Sequence, residues 1–506
     1  MTETQQKVVI VGGGTAGWMT AAAIGSALPS SRVSVHLVES EAIGIVGVGE
    51  ATLPHLRRFN ENLGIDEADF MTATSATFKL GIEFRDWARR GDAYIHPFGA
   101  YGVAVDDVPF HHFWRRLAHE PATGDISTYS LPIVAARAGR FRHPADNAAS
   151  VNGSYGYAYH IDATRYAPYL RSIAERRGVA RTEGKVVAVQ HTAHGDISAV
   201  RLEGGQCIAG DLFIDCSGFF GVLIEKALQA GYDDWRRWLP CDRAVALPTS
   251  HKGSSLPPYT KATALDAGWR WQIPLRHRVG NGYVYCSEFA SENAATTTLL
   301  GNIEGSPLAE PRHLRFTPGV RRQQWRKNCI AIGLSGGFLE PLESTSIYLI
   351  QAAIEQLIER FPMSLSESGE YTAEREDFNR CMQQEFERVR DFLILHYVAT
   401  ERRDSAFWQH IAAVDIPETL AARIDLFRGD GRFDDYQRGL FLTPSWLAVF
   451  LGQRIVPERY DMRAANVDRH RLRDRLHMLQ QKIAAAANAM PHHSQYLERY
   501  CPVAHR

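Results

Sequence analysis

The order of apolar and small residues in the first forty positions predicts a strand, a helix and a second strand. Residues 8–11 (VVIV) form a short, fully apolar run, which is typical of a buried parallel strand. The turn GGGTAG at 12–17 follows, then a helical stretch at 18–28 and a second strand at 33–38 that leads to Glu39. This order is typical of dinucleotide-binding folds, because glycines let the backbone approach a pyrophosphate and the acid can bind a ribose hydroxyl. The alternative is an ordinary glycine-rich turn between a strand and a helix.

Later apolar runs indicate that the nucleotide is FAD. From Lys185 the chain alternates between short strands and polar or Gly-Gly turns as far as the strand 212–215, and residues 329–337 (CIAIGLSGG) predict a third return to the same sheet. A β-meander that returns after a long insertion is the layout of FAD domains of the glutathione-reductase type. We therefore predict an α/β protein with an FAD-binding, doubly wound sheet. The sequence shows a single dinucleotide-binding fingerprint, so a separate NAD(P)H-binding domain is not indicated. We therefore expect reducing equivalents to arrive as reduced flavin.

The remaining pattern predicts the domain organisation. Segments 51–180 and 219–325 lie between the returns and are expected to build an inserted, substrate-side β-sheet within an FAD-binding core at 1–345. From residue 346 the apolar positions follow helical spacing, with further helices at about 374–399 and about 463–488. We therefore predict a mostly helical, substrate-binding region at 346–506 that packs on the core.

One apolar run contains a lysine. In ATFKLGIEF at 76–84, a strand period places Phe78, Leu80, Ile82 and Phe84 on one face and Lys79 with Glu83 on the other. Taken alone, the run favours a half-buried strand whose Lys79 lies in water. The alternative is that the second face lines a cavity in which the lysine takes part in chemistry.

Composition narrows the class of protein. The chain has 506 residues, 45% of them hydrophobic, and its charges balance at 56 basic against 57 acidic residues, so no nucleic-acid or anionic membrane surface is indicated. The seven cysteines are scattered without C-x-x-C spacing, which argues against a disulfide framework or a zinc site and for a reducing compartment. Neither a signal peptide nor an apolar run of about 20 residues is visible. We expect a cytoplasmic protein with no bound metal.

Two further stretches carry candidate chemistry. Residues 338–346 (FLEPLESTS) lead into a helix and end in N-cap residue types, which indicates either plain capping or a small anion held beside the flavin, with Glu343 nearby for acid–base work. In WRWQIP at 269–274, Trp269 and Trp271 share one strand face, which by itself is more often a core than a functional feature.

Together these motifs resemble the flavin-dependent tryptophan halogenases, nearly from end to end. The matching stretches are GGGTAGW at 12–18, VGVGEATLP at 46–54, FKLGIEF at 78–84, YIHPFG at 94–99, YHIDATRYAPYL at 159–170, IDCSGFFG at 214–221, WRWQIP at 269–274, EPLESTSI at 340–347 and LHYVATERRDSAFW at 395–408. The combination of tryptophan, lysine and glutamate motifs is far more specific than a flavin fingerprint.

The resemblance implies a reaction and the residues that carry it. In that family reduced FAD, oxygen and chloride or bromide yield hypohalous acid, which travels through an internal tunnel to the lysine, here Lys79. There the ammonium binds it, or a neutral amine captures it as a haloamine. The matching glutamate is Glu343, which orients the oxidant or stabilises the cationic arene. The halide-binding residues are Thr345 and Ser346, and the barrier between substrate and flavin is the pair Trp269 and Trp271.

The resemblance also implies binding residues and partners. The expected FAD contacts are Gly13, Thr15, Ala16, Glu39, Ala42, Ile45, Gly47, Glu50, Val186, Leu334 and Ile347. The expected arene contacts are His96, Phe98 and Phe441. A separate flavin reductase would supply reduced FAD, and family members are often homodimers.

The substrate pocket departs from the family pattern. Residues 438–444 lack the family's sandwich tryptophan, so Phe441 is the nearest aromatic, and the residues that clasp free tryptophan are not evident in RFDDY at 432–436. Because an unpaired buried ammonium or carboxylate is costly, we predict a preference for free indole or a related arene. An FAD-dependent hydroxylase is the alternative function, although residues 333–337 lack the Gly-Asp pair usual there. A non-catalytic flavin carrier is the other, which Lys79 and Glu343 argue against.

Overall fold

The computed structural model describes residues 5–41, 49–362, 372–434 and 439–502. Its α-helices are α1 (Thr15–Ala27), α2 (His55–Asn62), α3 (Glu67–Ala73), α4 (Phe110–Leu117), α5 (Leu131–Arg137), α6 (Ala163–Arg176), α7 (Glu292–Asn302), α8 (Thr345–Glu359), α9 (Thr372–Val398), α10 (Ala406–Ala412), α11 (Glu418–Asp430), α12 (Thr443–Gly452), α13 (Arg469–Asn488) and α14 (His493–Tyr500).

The strands are short and belong to several sheets. They are β1 (Gln6–Val11), β2 (Val33–Glu39), β3 (Gly49–Ala51), β4 (Thr77–Lys79), β5 (Gly81–Arg85), β6 (Ala93–Pro97), β7 (Ala158–Asp162), β8 (Ala180–Glu183), β9 (Val186–His191), β10 (Ile197–Leu202), β11 (Cys207–Ala209), β12 (Leu212–Asp215), β13 (Tyr232–Asp234), β14 (Arg243–Thr249), β15 (Thr260–Leu265), β16 (Gly268–Pro274), β17 (Val279–Tyr285), β18 (Arg312–Arg315), β19 (Gly319–Arg321), β20 (Trp325–Arg326), β21 (Cys329–Ala331) and β22 (Gly337–Phe338).

A six-stranded sheet in the order β20-β21-β12-β1-β2-β8 organises the N-terminal part of the chain. Strand β1 pairs in parallel with β2 and β12, and β21 joins β12 in parallel, so the three predicted returns meet in one sheet. The strands of the predicted meander, β9 to β11, form a separate antiparallel sheet of three. The predicted mixed α/β class is confirmed.

A seven-stranded sheet in the order β18-β14-β17-β16-β15-β5-β6 combines the two intervening segments. Strands β5 and β6 come from segment 51–180, whereas β14 to β18 come from segment 219–325, and the parallel pairing of β5 with β15 joins them. These two stretches, distant in sequence, therefore build one continuous sheet.

The prediction of one strand across residues 78–84 is wrong. Strand β4 pairs with β7 in a three-stranded sheet, whereas β5 pairs with β6 and β15 in the seven-stranded sheet. Leu80 lies between them and donates its N–H to Pro258 O. A Cβ on Gly81 would lie 2.4 Å from His96 O, so the change of sheet depends on a residue without a side chain.

The C-terminal part is mostly helical, as predicted. The helix expected at about 374–399 is α9, but the helix expected from about 463 begins only at Arg469, after a short 3-10 turn at Met462–Asn466. Asp468 sets this start, because its side chain accepts the N–H of Arg471 as an N-cap. One hydrophobic core contains Ile10, Trp269 and Phe392, so it runs through both predicted domains. The boundary at 345 stays a prediction.

None of the helices described is long and apolar enough to cross a bilayer. Within the same residues, no group of three or more His, Cys, Asp or Glu side chains is arranged to hold a metal ion.

Candidate active site

Lys79 lies at the end of β4 and is fully buried. Its Nζ donates hydrogen bonds to Thr52 O and to Ser344 Oγ, both at 2.9 Å, and lies 5.1 Å from the centre of the Phe98 ring. Burial lowers the pKa of Lys79 to about 7, and the charge of Glu343 opposes that shift only in part. The lysine therefore lies in an enclosed site, and the expectation from the isolated run, that it lies in water, is wrong.

Glu343 is also fully buried and lies between two imidazole rings. His96 Nδ1 is 3.0 Å from Oε1 and 2.9 Å from Oε2, and His396 Nε2 is 2.8 Å from Oε1. Burial alone would raise the pKa of this carboxyl group, but the two imidazoles outweigh that effect and lower it to about 2. Glu343 is thus a carboxylate at neutral pH.

Ser344 connects the lysine to the glutamate and to helix α8. It has φ 62° and ψ 35°, a left-handed conformation that is uncommon for a residue with a side chain. No side chain caps α8 at this residue, and the buried Oγ1 of Thr345 has no partner among the described residues. The amide groups in the first turn of α8, which include those of Thr345 and Ser346, are therefore available to an anion.

The three predicted arene contacts border this site. His96 touches Glu343, Phe98 lies over Lys79, and the centre of the Phe441 ring is 6.2 Å from that of His96. Phe441 stacks on Phe392 at 3.9 Å and an interplanar angle of 21°. Trp446, which packs edge-on against Phe392 at 5.0 Å, extends the aromatic wall. Asp435 and Tyr436, which the sequence compared with the family's tryptophan clasp, lie outside the described residues.

Both predicted barrier tryptophans are buried on β16, with ring centres 6.1 Å apart. Trp269 Nε1 donates to Glu340 Oε2 at 2.9 Å, and Tyr397 donates to the same oxygen. Burial raises the pKa of Glu340 to about 7. The Trp271 ring lies against the backbone of Gly282, where a Cβ would be only 2.0 Å from its Cζ2. Both indoles are therefore held by specific contacts.

The glycine turn fits a dinucleotide. Gly14 caps α1 without a side-chain hydrogen bond, so no cap occupies the first-turn amides of Thr15 and Ala16, and a Cβ on Gly14 would meet no atom within 4 Å. A Cβ on Gly13 would lie 1.6 Å from Glu39 Oε2, which shows how closely the turn approaches the acid. Glu39 lies at the end of β2, as the ribose assignment requires.

The other predicted FAD contacts come from separate elements. Glu50 is in β3, Val186 begins β9, Leu334 is in the 3-10 turn after β21, and Ile347 is in the first turn of α8. Burial raises the pKa of Glu50 to about 7. A Cβ on Gly333 would lie 2.8 Å from that of Ala16, so the third return contacts the start of α1. Ala42, Ile45 and Gly47 lie outside the described residues.

Sequence reasoning missed several neighbours of the proposed catalytic pair. His396 contacts Glu343, Thr52 and Ser344 accept from Lys79, and Glu340 orients Trp269. His396 lies in the stretch 395–408 that supported the resemblance, but nothing in the sequence indicated which carboxylate it contacts. These contacts join positions far apart in the chain.

Comparisons with known proteins identify the family of this chain. Residues 7–469 match the family model described as Tryptophan halogenase. The chain is 39% identical over 481 residues to tryptophan 6-halogenase SttH from Streptomyces toxytricini, covering 89% of this chain and 90% of that protein.

Solved structures are similar along almost the whole chain. Xcc4156, a flavin-dependent halogenase from Xanthomonas campestris, is 44% identical with a TM-score of 0.94, and the match covers 99% of each chain. BrvH, a flavin-dependent halogenase from Brevundimonas sp. BAL3, is 42% identical with a TM-score of 0.93, covering 99% of this chain and 100% of the other. The extent of these matches and of the family model shows that this chain belongs to the tryptophan halogenase family.

Proposed function

We propose that this enzyme uses reduced FAD, oxygen and chloride or bromide to halogenate an indole-type arene at a site built from Lys79 and Glu343. The observation that carries this proposal is the meeting of these two residues, 264 positions apart, around Ser344 in a fully buried site. A buried amine and a buried carboxylate whose pKa values are both strongly lowered are typical of catalytic sites. The family assignment does not favour the hydroxylase alternative.

FAD would be held by the glycine turn at 12–17, by Glu39 and by the elements that carry Glu50, Val186, Leu334 and Ile347. The open, uncapped start of α1 supports this assignment, since it leaves amide groups free for a pyrophosphate. When bound in its reduced form with oxygen, the flavin supplies the two-electron oxidation of halide to hypohalous acid. A separate flavin reductase would provide the reduced cofactor.

Thr345 and Ser346 would hold the halide through their backbone N–H groups. The left-handed conformation of Ser344 supports this assignment, because the chain turns there between the residues of the lysine site and the residues that begin helix α8. Glu343 and Ser344 contact the lysine site, whereas the next two amides begin helix α8. Trp269 and Trp271 would keep the arene away from the flavin while the small oxidant passes to Lys79.

Lys79 would receive the oxidant. With a pKa of about 7, a large fraction of its amine is neutral near pH 7, which favours capture of the halogen as a haloamine over simple hydrogen bonding by an ammonium group. The neutral amine attacks the halogen of hypohalous acid. A nitrogen–halogen bond forms, the oxygen–halogen bond breaks, and the hydroxide leaves as water with one proton from the amine. Transfer of the halogen to the arene breaks the nitrogen–halogen bond, and the proton that the ring loses, passed on through Glu343, returns to the nitrogen and restores the amine.

Glu343 would stabilise the cationic arene and accept that ring proton. Its ionised state supports this role, since a carboxylate beside a developing cation lowers the barrier most effectively in a site shielded from water. The aromatic side chains of His96, Phe98 and Phe441 would hold the flat ring between them. We expect indole or a related arene to be preferred over free tryptophan, by about tenfold in kcat/KM for a charge pair left without partners.

A single set of incubations tests the proposal. The protein is combined with a flavin reductase, FAD, NADH and bromide or chloride, and a panel of indoles and free tryptophan is analysed by mass spectrometry for halogen isotope patterns. The proposal expects halogenated product that depends on halide. Hydroxylated product in the absence of halide would support the alternative, and much better turnover of free tryptophan would refute the indole preference.

A further inference from the structure

His396 has an unusual environment for a buried histidine. It lies on α9 and is fully buried. Its Nδ1 is 2.9 Å from the backbone oxygen of Phe392, and its Nε2 is 2.8 Å from Glu343 Oε1. The second contact departs from ideal hydrogen-bond direction, so it is best described as an ion-pair contact. Both ring nitrogens thus lie close to an oxygen, Nδ1 with hydrogen-bond geometry and Nε2 as an ion-pair contact.

Those two oxygens determine the protons on the ring. A neutral imidazole carries one N–H and one lone pair, so it needs a donor opposite one of its nitrogens. A backbone carbonyl and an ionised carboxylate can only accept. Glu343 is ionised, because His96 approaches both of its oxygens from the other side. Protons on both ring nitrogens fit this arrangement, because Nδ1–H donates to the carbonyl and a positively charged ring is attracted to the carboxylate at 2.8 Å even where its N–H is poorly aligned. A neutral ring with its lone pair on Nε2 would be repelled by that carboxylate.

Two other buried histidines show the contrasting pattern. His493 Nε2 accepts the N–H of Phe78 at 3.1 Å, while Nδ1 lies 2.8 Å from Leu256 O, so one N–H suffices. His160 lies between the hydroxyl groups of Thr77 and Thr260, which adapt to a neutral ring. Burial lowers the pKa of His493 to about 4 and that of His160 well below its ordinary value.

We propose that His396 is a positioning residue whose doubly protonated ring is the counter-ion of Glu343, so that Lys79 can give up its proton inside the same cavity. This inference rests on the proposed roles of Lys79 and Glu343. A buried carboxylate requires positive charge nearby, and without His396 the lysine and His96 would have to supply all of it. His396 therefore keeps the carboxylate ionised and the amine nucleophilic together.

The remaining groups around the cavity do not replace this charge. Glu343 is faced by His96, Lys79 and the phenol of Tyr94, whose pKa the carboxylate raises further above its ordinary value. Lys79 is also near His160, which is neutral. The His396 ring packs against Phe84 and Trp87, and Gln453 donates to its backbone oxygen. Among these described neighbours, positive charge beside Glu343 can come from Lys79, His96 or His396, and of the two imidazoles His396 is the one with an oxygen near each ring nitrogen.

The pH dependence of halogenation tests the inference. In His396→Gln an amide replaces the cation, so Lys79 should retain its proton to higher pH. We expect the acid limb of the pH–rate profile to move up by about one unit, which lowers the rate about tenfold below the midpoint and restores it above about pH 9. The matched control His493→Gln removes a neutral buried imidazole and should leave the midpoint unchanged. An equal loss of rate at every pH in His396→Gln would overturn the proposal.

A spectroscopic measurement makes the inference independent of activity. In protein carrying 15N-labelled histidine, the His396→Gln variant assigns the His396 ring signals by difference. We expect both of its ring nitrogens to be protonated near pH 7, whereas His493 and His160 carry one proton each. A neutral ring at His396 would overturn the proposal even in an active halogenase. A doubly protonated ring in a protein that makes no halogenated arene would instead refute only the proposed function.

Discussion

Strand β4 separates two carboxylates that differ in their partners. Phe78 points into a cluster of aromatic rings tied together by Glu67, while the next side chain, Lys79, points into the cavity that contains Glu343. The pKa of each carboxyl group is lowered to about 2. The shift alone therefore does not distinguish a structural carboxylate from a catalytic one.

The two carboxylates differ in the groups that donate hydrogen bonds to them. Glu67 accepts hydrogen bonds from the hydroxyl groups of Tyr157, Tyr159 and Tyr500 and from His143, so both of its oxygens are fully used. Among the described residues, Glu343 is contacted by two imidazoles, those of His96 and His396, and it lies in the same enclosed site as an amine of lowered pKa. Because these donors occupy both oxygens of Glu67, the carboxylate links α3, β7 and α14 rigidly. A carboxylate with few partners beside a titratable amine retains the capacity to bind a cationic arene.

Replacing the lysine should have the largest effect. We expect Lys79→Ala to lower arene halogenation about 10³-fold or more, because the oxidant is no longer held beside the substrate. FAD affinity, measured by fluorescence titration, should be unchanged, since Lys79 contacts no predicted FAD residue. Lys482→Ala, at an exposed position on α13, is the matched control. A loss of FAD binding in Lys79→Ala would instead identify a structural lysine.

Removal of the proposed catalytic carboxylate, Glu343, should be nearly as severe. In Glu343→Gln the amide keeps the shape but loses the negative charge, so we expect kcat to fall about 10²-fold with little change in KM. Steady-state kinetics with indole at saturating halide measure this effect. An unchanged kcat would show that Glu343 takes no part in the reaction and has a structural role, like Glu67.

A smaller effect is expected from crowding the barrier. Gly282→Ala would place a methyl group 2.0 Å from the present position of the Trp271 ring, so the indole must move. We expect the fraction of consumed NADH that appears as halogenated product to fall several-fold. Gly301→Ala is the control, because a Cβ there meets no atom within 4 Å. If the fraction of NADH that yields halogenated product is unchanged although the ring has moved, Trp271 does not form a barrier.

Glu67→Gln should leave kcat unchanged and alter only stability. One phenol or imidazole loses its acceptor, so the free energy of unfolding should fall by about 1–3 kcal/mol. Because folding lowers the pKa of Glu67 from 4.5 to about 2, its stabilising contribution is complete above pH 4.5 and is lost as the pH falls towards 2. Chemical denaturation at several pH values should show this loss in the wild type and not in the variant. A reduced kcat with an unchanged Tm would contradict the structural role.

The sequence predicted the elements whose signals are local. The apolar run at 8–11, the glycine turn and the helix that follows appear as β1 and α1, because strand burial and glycine geometry depend on adjacent residues. The run at 78–84 was misjudged because the change of sheet at Leu80 depends on Pro258 and His96, which are distant in the chain. Lys79 likewise contacts residues distant in the chain, Thr52 O and Ser344 Oγ, so its isolated pattern suggested a solvent-facing strand.

In the candidate site, the sequence predicted the roles of those residues that lie in recognisable family motifs. Lys79, Glu343 and the two tryptophans were identified by resemblance, whereas His396, Glu340 and Phe392 gained a role only when the structure placed them beside those residues. A histidine on a helix carries no signal of its charge, since that depends on which acceptors face its two nitrogens. For His396 those acceptors are a carbonyl four residues earlier and a carboxylate 53 residues earlier.

The most direct test of the account follows the oxidant itself. Wild type and Lys79→Ala are compared during turnover with bromide, an indole and an excess of a small 1,3-diketone that captures free hypobromous acid. We predict that the wild type brominates the indole in the presence of the diketone. The variant should consume NADH at a similar rate and brominate only the diketone. Bromination of the indole by Lys79→Ala despite the excess diketone would contradict the claim that this buried amine delivers the halogen.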